Sequence, residues 1–207
     1  MRPIVVKDGV SLWPGLLDSR TQAALLDEVS SRVARAPFYR PRMPKSGKPF
    51  SVEETNFGPL GWLSGESGYR YAPRHPYTDE PWPAIPRALL ELWKETTGYR
   101  APPECCLVNL YRAGARMGLH QDRDEAALDA PVLSVSLGDD ALFRIGGTGR
   151  RGPTTAFRLQ SGDVLTFGGP ARLAFHGVDR TAPGTCALLP GGGRINLTLR
   201  RVTTPSG

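Results

Sequence analysis

Histidine and cysteine are both scarce in this chain, at three residues each among 207. Cys105 and Cys106 are adjacent and Cys186 stands far downstream, which leaves neither a disulfide framework nor a paired Cys-x-x-Cys knuckle. Stapled secreted domains and zinc ribbons are thereby excluded, and reduced thiols are expected. No apolar run is long enough to span a bilayer. In the opening MRPIVVKDGVSLWPG, charge and proline interrupt the apolar residues before a signal-peptide core is reached. The expectation is a soluble, cytoplasmic protein without membrane association. Repeats, heptads and low-complexity tracts are missing too, so solenoids and coiled coils drop out.

What is present suffices for one substantial core, with 40% of residues hydrophobic. The chain should fold alone, as a monomer. The net charge is +6 and the pI near 9.5, carried mostly by arginine, whose forked guanidinium suits phosphate. A polyanionic partner is permitted, but scattered surface charge explains the same balance, so charge alone leaves both open.

Leu25, Leu26, Val29 and Val33 recur at helical spacing between Thr21 and Arg35, with Asp18 or Ser19 available as a cap. A second helix is predicted over Arg87 to Thr97, carrying Leu89, Leu92, Trp93 and Thr96 on one side, following Pro86 and stopping at Gly98. Between them, Pro37 to Pro86 is rich in Pro, Gly, Ser, Arg and aromatics without sustained periodicity, too long for an ordinary connection. It reads as a lid or binding loop. From Cys105 onward, the runs CCLVNLY, PVLSVSLG, ALFRIGG, TAFRL, DVLTFGG, RLAFHGV and RINLTLR are separated by Gly and Pro. Such a series implies a closed antiparallel sandwich or jelly roll.

Two of the three histidines fall in this β region. In GLHQDRDE, His120 and Asp122 are two apart, so in extended chain an imidazole and a carboxylate point the same way. His176, in AFHGV, comes several strands later and can return beside them. Two His and one carboxylate make the facial set of non-haem iron oxygenases. An H-x-D tripeptide also arises by chance, and the C-terminal strand adds the weight. Alternation in Arg194 to Arg200 puts Arg194, Asn196, Thr198 and Arg200 on one face and Ile195, Leu197 and Leu199 on the other. A solvated outer face explains two arginines there, and so does an anion clamp for a dicarboxylate in the barrel mouth. Asn109 and Tyr111 likewise share a strand face, either as core filling or as hydrogen-bond partners for a carboxylate.

Read together, N-x-Y, H-x-D-x-D-E, a distal H and R-x-N-x-x-x-R closely resemble the AlkB family of oxidative nucleic-acid demethylases. The similarity extends to LGW at Leu60 to Trp62, GYRY at Gly68 to Tyr71, PWPAIP at Pro81 to Pro86 and APVLSVSLG at Ala130 to Gly138. It implies a mainly β fold with flanking helices. The core would be a double-stranded β-helix over residues 105–207, with N-terminal helices and a nucleotide-recognition lid over 1–104, acting as one catalytic unit. It implies Fe(II) on His120, Asp122 and His176, with 2-oxoglutarate and O2 completing the site. Arg194, Asn109 and Tyr111 would hold the distal carboxylate of 2-oxoglutarate, with Asn196 and Arg200 near the iron-chelating end. Trp62 and Tyr69 either pack the insertion onto the core or stack on a flipped base, beside which Asp124 and Glu125 supply negative charge; by the resemblance Asp124 would accept from the base's amino group and Arg150 would help close the pocket.

The implied substrates are 1-methyladenine and 3-methylcytosine in single-stranded DNA, with duplex DNA and RNA left open. The products would be formaldehyde, succinate and carbon dioxide. Arg40, Arg42, Lys45 and Lys48 are either a solvated face or a backbone-phosphate contact. The sequence departs from the family pattern from Arg40 to Glu54, with Glu54 where an apolar residue is expected near the pocket rim, and in the loop from Leu188 to Gly193. A hydroxylase of protein side chains or small metabolites would share every metal and cosubstrate residue, and only the lid separates it from a nucleotide enzyme. A non-redox metal-binding jelly roll would leave Arg194 and Arg200 without a role.

Overall fold

A computed structural model of the chain describes residues 2–205. Among them the elements in chain order are β1 (Ile4–Lys7), β2 (Val10–Trp13), α1 (Ser19–Val33), β3 (Glu53–Phe57), β4 (Gly61–Gly65) and β5 (Gly68–Ala72). There follow α2 (Arg87–Thr97), β6 (Cys105–Tyr111), β7 (Met117–His120), β8 (Val132–Gly138) and β9 (Asp140–Ile145), then β10 (Thr155–Leu159), β11 (Val164–Phe167), β12 (His176–Ala182) and β13 (Arg194–Arg200). A seven-stranded sheet runs β1-β2-β11-β8-β13-β6-β3 and a four-stranded sheet runs β10-β9-β12-β7. Every pairing is antiparallel. This is the jelly-roll core expected of the β-rich half. Strands β1, β2 and β3, all before residue 104, hydrogen-bond into the larger sheet, so that sheet draws on both halves of the chain.

Apart from its exposed edge strand β1, the larger sheet is buried on both faces, and period-2 alternation divides its residues between two cores. On one face, Cys106, Val108 and Leu110 of β6, Leu133, Val135 and Leu137 of β8, and Ile195, Leu197 and Leu199 of β13 pack against Leu25 and Val29 of α1 and Leu89, Leu92 and Trp93 of α2. On the other, Tyr111, Val132, Leu165 and Phe167 meet Ala141, Phe143, Ile145 and Val178 of the smaller sheet. The helices therefore brace the outside of the barrel and leave its mouth open to the other elements. Helix α1 starts at Ser19 because Asp18 accepts the Thr21 N–H at 2.8 Å. Helix α2 ends where Gly98 adopts φ 60°, a left-handed cap that glycine takes without strain.

The segment from Pro37 to Pro86 is not the irregular loop that its composition suggested. It holds β3, an edge strand of the larger sheet, and the β4–β5 hairpin, with Ala36, Leu63 and Trp82 packed beneath. β3 escaped the periodicity argument because three of its four buried residues, Glu54, Thr55 and Asn56, are polar where a strand shows apolar ones, with Phe57 alone apolar. The run RLAFHGV also differs, since the strand begins only at His176 after a short 3-10 turn at Gly169–Ala171. No helix among the described residues is long and apolar enough to cross a membrane.

Leu197 is fully buried on the helix side of β13, one residue from Asn196 and Thr198 on the opposite face. Leu197→Ala should cost about 2–5 kcal/mol in urea-unfolding experiments, the range for a core leucine whose cavity cannot collapse. A cost under about 0.5 kcal/mol, as at surface sites, would contradict this division of faces.

Candidate metal centre

The register of β7 against β12 sets His120 directly opposite His176. Opposed residues on antiparallel strands project from one face, and the two rings meet with centroids 4.4 Å apart. Gly177 permits this approach, since a Cβ there would fall 2.5 Å from the Met117 carbonyl oxygen. Asp122, just past the end of β7, completes the group. Its Oδ1 lies 3.7 Å from His120 Nε2 and its Oδ2 lies 3.9 Å from His176 Nε2. One donor atom from each residue falls within 4.8 Å of the others.

The protonation of the rings follows from their partners. His120 Nδ1 meets the Gly118 carbonyl at 2.9 Å and His176 Nδ1 meets that of Ala174 at 3.0 Å. A carbonyl only accepts, so each Nδ1 carries the proton and each Nε2 keeps a lone pair for a metal. Burial, reinforced by the neighbouring His120, pushes His176 down to about 4 and keeps it neutral. Burial, the largest single influence, raises the Asp122 carboxyl, but the positive groups around it, Arg200 foremost with His176, His120 and Arg172, together hold it below the usual carboxylate range. Two imidazoles turned with Nε2 inward and an ionised carboxylate suit a divalent first-row metal of the iron type.

Arg200 donates from Nε to Asp122 Oδ2 at 3.0 Å and from Nη2 to Oδ1 at 2.8 Å, a bidentate pair. It lies beside the His/Asp/His group, with its fork taken by Asp122. Tyr71 donates to Glu125, which also pairs with Arg172 at 3.0 Å, and Arg172 donates to the Asp122 carbonyl at 2.5 Å. Glu125 is therefore buried and occupied on both oxygens, and it supports the metal loop rather than facing a pocket. Sequence reasoning missed Tyr71 and Arg172. Tyr71 stood only within the GYRY similarity and Arg172 only within the run RLAFHGV, and neither pattern names their partners, which lie far off in sequence.

Beyond the metal, β13 turns Arg194 and Asn196 into the barrel. Arg194 is 1% exposed, and no carboxylate among the described residues forms a salt bridge with it. It donates to Ser136 Oγ at 2.6 Å and to the carbonyls of Asp139 and Leu159 at 3.1 and 3.4 Å, while its Nε has no partner. Burial lowers it to about 10. Tyr111 opposes Arg194 and Asn109 opposes Asn196 in the β6–β13 register, and the Asn109 carboxamide oxygen is also unpartnered. A buried cation with no carboxylate in direct contact is costly, so this face of the barrel fits a carboxylate-bearing ligand. Asn196 is tied to the sheet, donating to Ser134 Oγ at 2.7 Å and accepting from Thr198 at 2.8 Å.

At the mouth, Trp62 of β4 and Tyr69 of β5 stack at 5.1 Å with planes 24° apart. They lie on a regular hairpin, paired through Trp62↔Tyr71 and Ser64↔Tyr69. Trp62 Nε1 donates to Asp124 Oδ2 at 2.9 Å, which fixes the platform two residues from the ligand Asp122. Arg150 is exposed on the β9–β10 loop, which Gln121 reaches through the Thr148 carbonyl at 3.3 Å. The third histidine, His75, is bound to the Pro37 carbonyl and to the main-chain N–H groups of Tyr77 and Thr78, remote from the metal group.

Residues 9–200 match the family model of the 2OG-Fe(II) oxygenase superfamily. The chain is 58% identical over 203 residues to an alpha-ketoglutarate-dependent dioxygenase AlkB homolog of Caulobacter vibrioides, spanning 98% of this chain and 92% of that one. It is 39% identical over 181 residues to the alpha-ketoglutarate-dependent dioxygenase AlkB of Escherichia coli, spanning 86% and 83%. The solved structure of OsALKBH1 is similar with a TM-score of 0.83 at 30% identity, covering 96% of this chain and 99% of that one.

Because the ligands come from separate segments, losing one should be severe. His176→Ala should weaken binding of Fe(II), or of Mn(II) as a redox-silent probe, by at least the roughly 10–100-fold typical of outer-shell changes. Calorimetric titration measures it, and undiminished affinity would remove these residues as the metal group.

Proposed function

We propose that this chain, which belongs to the AlkB family of the 2OG-Fe(II) oxygenase superfamily, reverses alkylation damage by demethylating 1-methyladenine and 3-methylcytosine in DNA. It is an iron(II)- and 2-oxoglutarate-dependent dioxygenase that oxidatively demethylates alkylated nucleic acid. The observation that carries the reading is the convergence in one barrel of the His/Asp/His group, an unpaired buried arginine and an aromatic platform bonded to the metal loop.

In this reading His120, Asp122 and His176 hold Fe(II), and Arg194, Tyr111 and Asn109 receive the distal carboxylate of 2-oxoglutarate. Iron, 2-oxoglutarate and O2 together supply the oxidation of the N-methyl carbon, with succinate, carbon dioxide and finally formaldehyde released. Arg200 keeps Asp122 ionised and aligned, and Asn196 completes the polar wall. Trp62 and Tyr69 give a flipped base the stacking it loses on leaving the helix. Asp124 fixes the plane of Trp62 and keeps its other oxygen for the base, Arg150 closes over the mouth, and Glu125 acts from beneath.

The basic hairpin contributes Arg42, Lys45 and Lys48, exposed around the turn closed by the Arg42↔Pro49 bridge. Arg40 is paired with Glu53 at 3.3 Å. These cations suit backbone phosphates, and single strands should be favoured because no pairing has to be broken. The acting unit is the monomer, in the cytoplasm with its substrate.

The test is mass spectrometry of methylated oligonucleotides incubated with the protein, Fe(II), 2-oxoglutarate and ascorbate. Loss of the methyl mass with matching formaldehyde and succinate is expected, and succinate without demethylation of any oligonucleotide would redirect the chemistry to another substrate. Arg194→Lys should raise the KM for 2-oxoglutarate far more than that for the oligonucleotide, because lysine cannot reproduce a forked contact. Binding should weaken as salt rises, and salt-independent binding would remove the basic hairpin from the interface.

A further inference from the structure

Glu54 is 1% exposed, and neither of its carboxyl oxygens has a hydrogen-bond partner among the described residues. Tyr39 Oη and Asn109 Oδ1 are unpartnered in the same way. The register explains why these groups lie together. Tyr39 bridges to Glu54, Glu54 opposes Asn109, Asn109 opposes Asn196, and Asn196 opposes Ser136. Opposed residues on antiparallel strands share a face. Asn196 and Ser136 face the barrel interior, so Glu54 does as well, at the edge where the lid meets the barrel. The field of Arg200 reaches it, and its own charge reaches Tyr39 and Tyr111.

A buried carboxyl with nothing to bond is among the costlier groups a fold can keep, and this one supports no neighbouring element. Burial pushes it up to about 8 against the opposing field of Arg200, so it is poised to ionise when a cation arrives. The unpartnered atoms bridged or paired to it, Tyr39 Oη and Asn109 Oδ1, can both accept, which suits a ligand rich in N–H donors. Resting on the demethylase reading above, we propose that Glu54 is a specificity-determining residue that pairs with the positively charged, amino-bearing edge of a base methylated on its ring nitrogen.

Glu54 itself repels an anion, and the dicarboxylate is drawn instead to Arg194, which opposes Tyr111 two residues along β6 from Asn109. A neutral methylated base brings no charge to ionise the carboxyl. A 1-methyladenine or 3-methylcytosine brings both a positive ring and an amino group. Asp124 is exposed and has spent one oxygen on Trp62, so water screens whatever charge it offers. Glu54 is enclosed, where the same attraction is much stronger.

The test compares Glu54→Gln and Glu54→Leu with the native protein on 3-methylcytosine and neutral 3-methylthymine in one single-stranded context. In both variants kcat/KM on 3-methylcytosine should fall roughly tenfold or more, about 1.4 kcal/mol per tenfold, while 3-methylthymine changes by less than about threefold. Fluorescence anisotropy of the metal-free proteins should show the same selective loss of affinity, independent of turnover. The Tm of Glu54→Leu should hold or rise, since a costly buried group has gone; if that variant does not fold, the isosteric Glu54→Gln carries the comparison. Equal losses on both lesions, or none with Glu54→Gln, would overturn the role of Glu54 and leave the demethylase reading standing. A native protein that demethylates no lesion would overturn both.

Discussion

The site depends on one buried ion pair, Arg200 with Asp122. A carboxylate must be ionised to bind a metal, yet Asp122 is almost wholly enclosed, and enclosure alone would drive it toward the neutral acid. The surrounding positive groups, Arg200 foremost, reverse that preference, and Arg200 fixes both oxygens by a forked contact. The pair also joins the two sheets, since Arg200 ends β13 in the larger one and Asp122 follows β7 in the smaller. Buried pairs of this kind add little net stability against an apolar substitute, but removing one partner strands a charge. The Tyr71, Glu125 and Arg172 contacts hold the loop behind Asp122, so the metal group is set by a network rather than by three ligands alone.

The larger sheet serves two purposes because its strands are two-faced. Ile195, Leu197 and Leu199 lock β13 to the helices, while the residues between them line the barrel. Rigidity on one face thus positions chemistry on the other. The helices carry none of the site, and their amphipathic faces are spent on the sheet.

The lid edge shows the opposite economy. Glu54, Tyr39 and Asn109 keep polar atoms unsatisfied in a buried place, where an apolar core would be more stable. Arg194 does likewise with its Nε. Such groups persist where a ligand completes them, and here they lie along the strand rows that face the barrel interior.

The β-rich half was legible because its strands alternate or run apolar between Gly and Pro, and β6, β8 and β13 appear where the sequence placed them. His120, Asp122 and His176 were legible as a group because a facial metal set needs few residue types, and histidine is rare here. By itself the sequence also determined the two helices, through the spacing of their apolar residues, a starting cap at Asp18 or Ser19 and the stop at Gly98. What only the tertiary structure decided was partnership. Glu125, adjacent in sequence to Asp124, is engaged on both oxygens beneath the metal loop, while Asp124 goes to Trp62. Arg200 went to Asp122, and β3 joined the sheet with polar residues buried. Local pattern records which face a side chain takes, but not which distant group meets it, because cross-strand register and long-range contacts are fixed only when the sheets close.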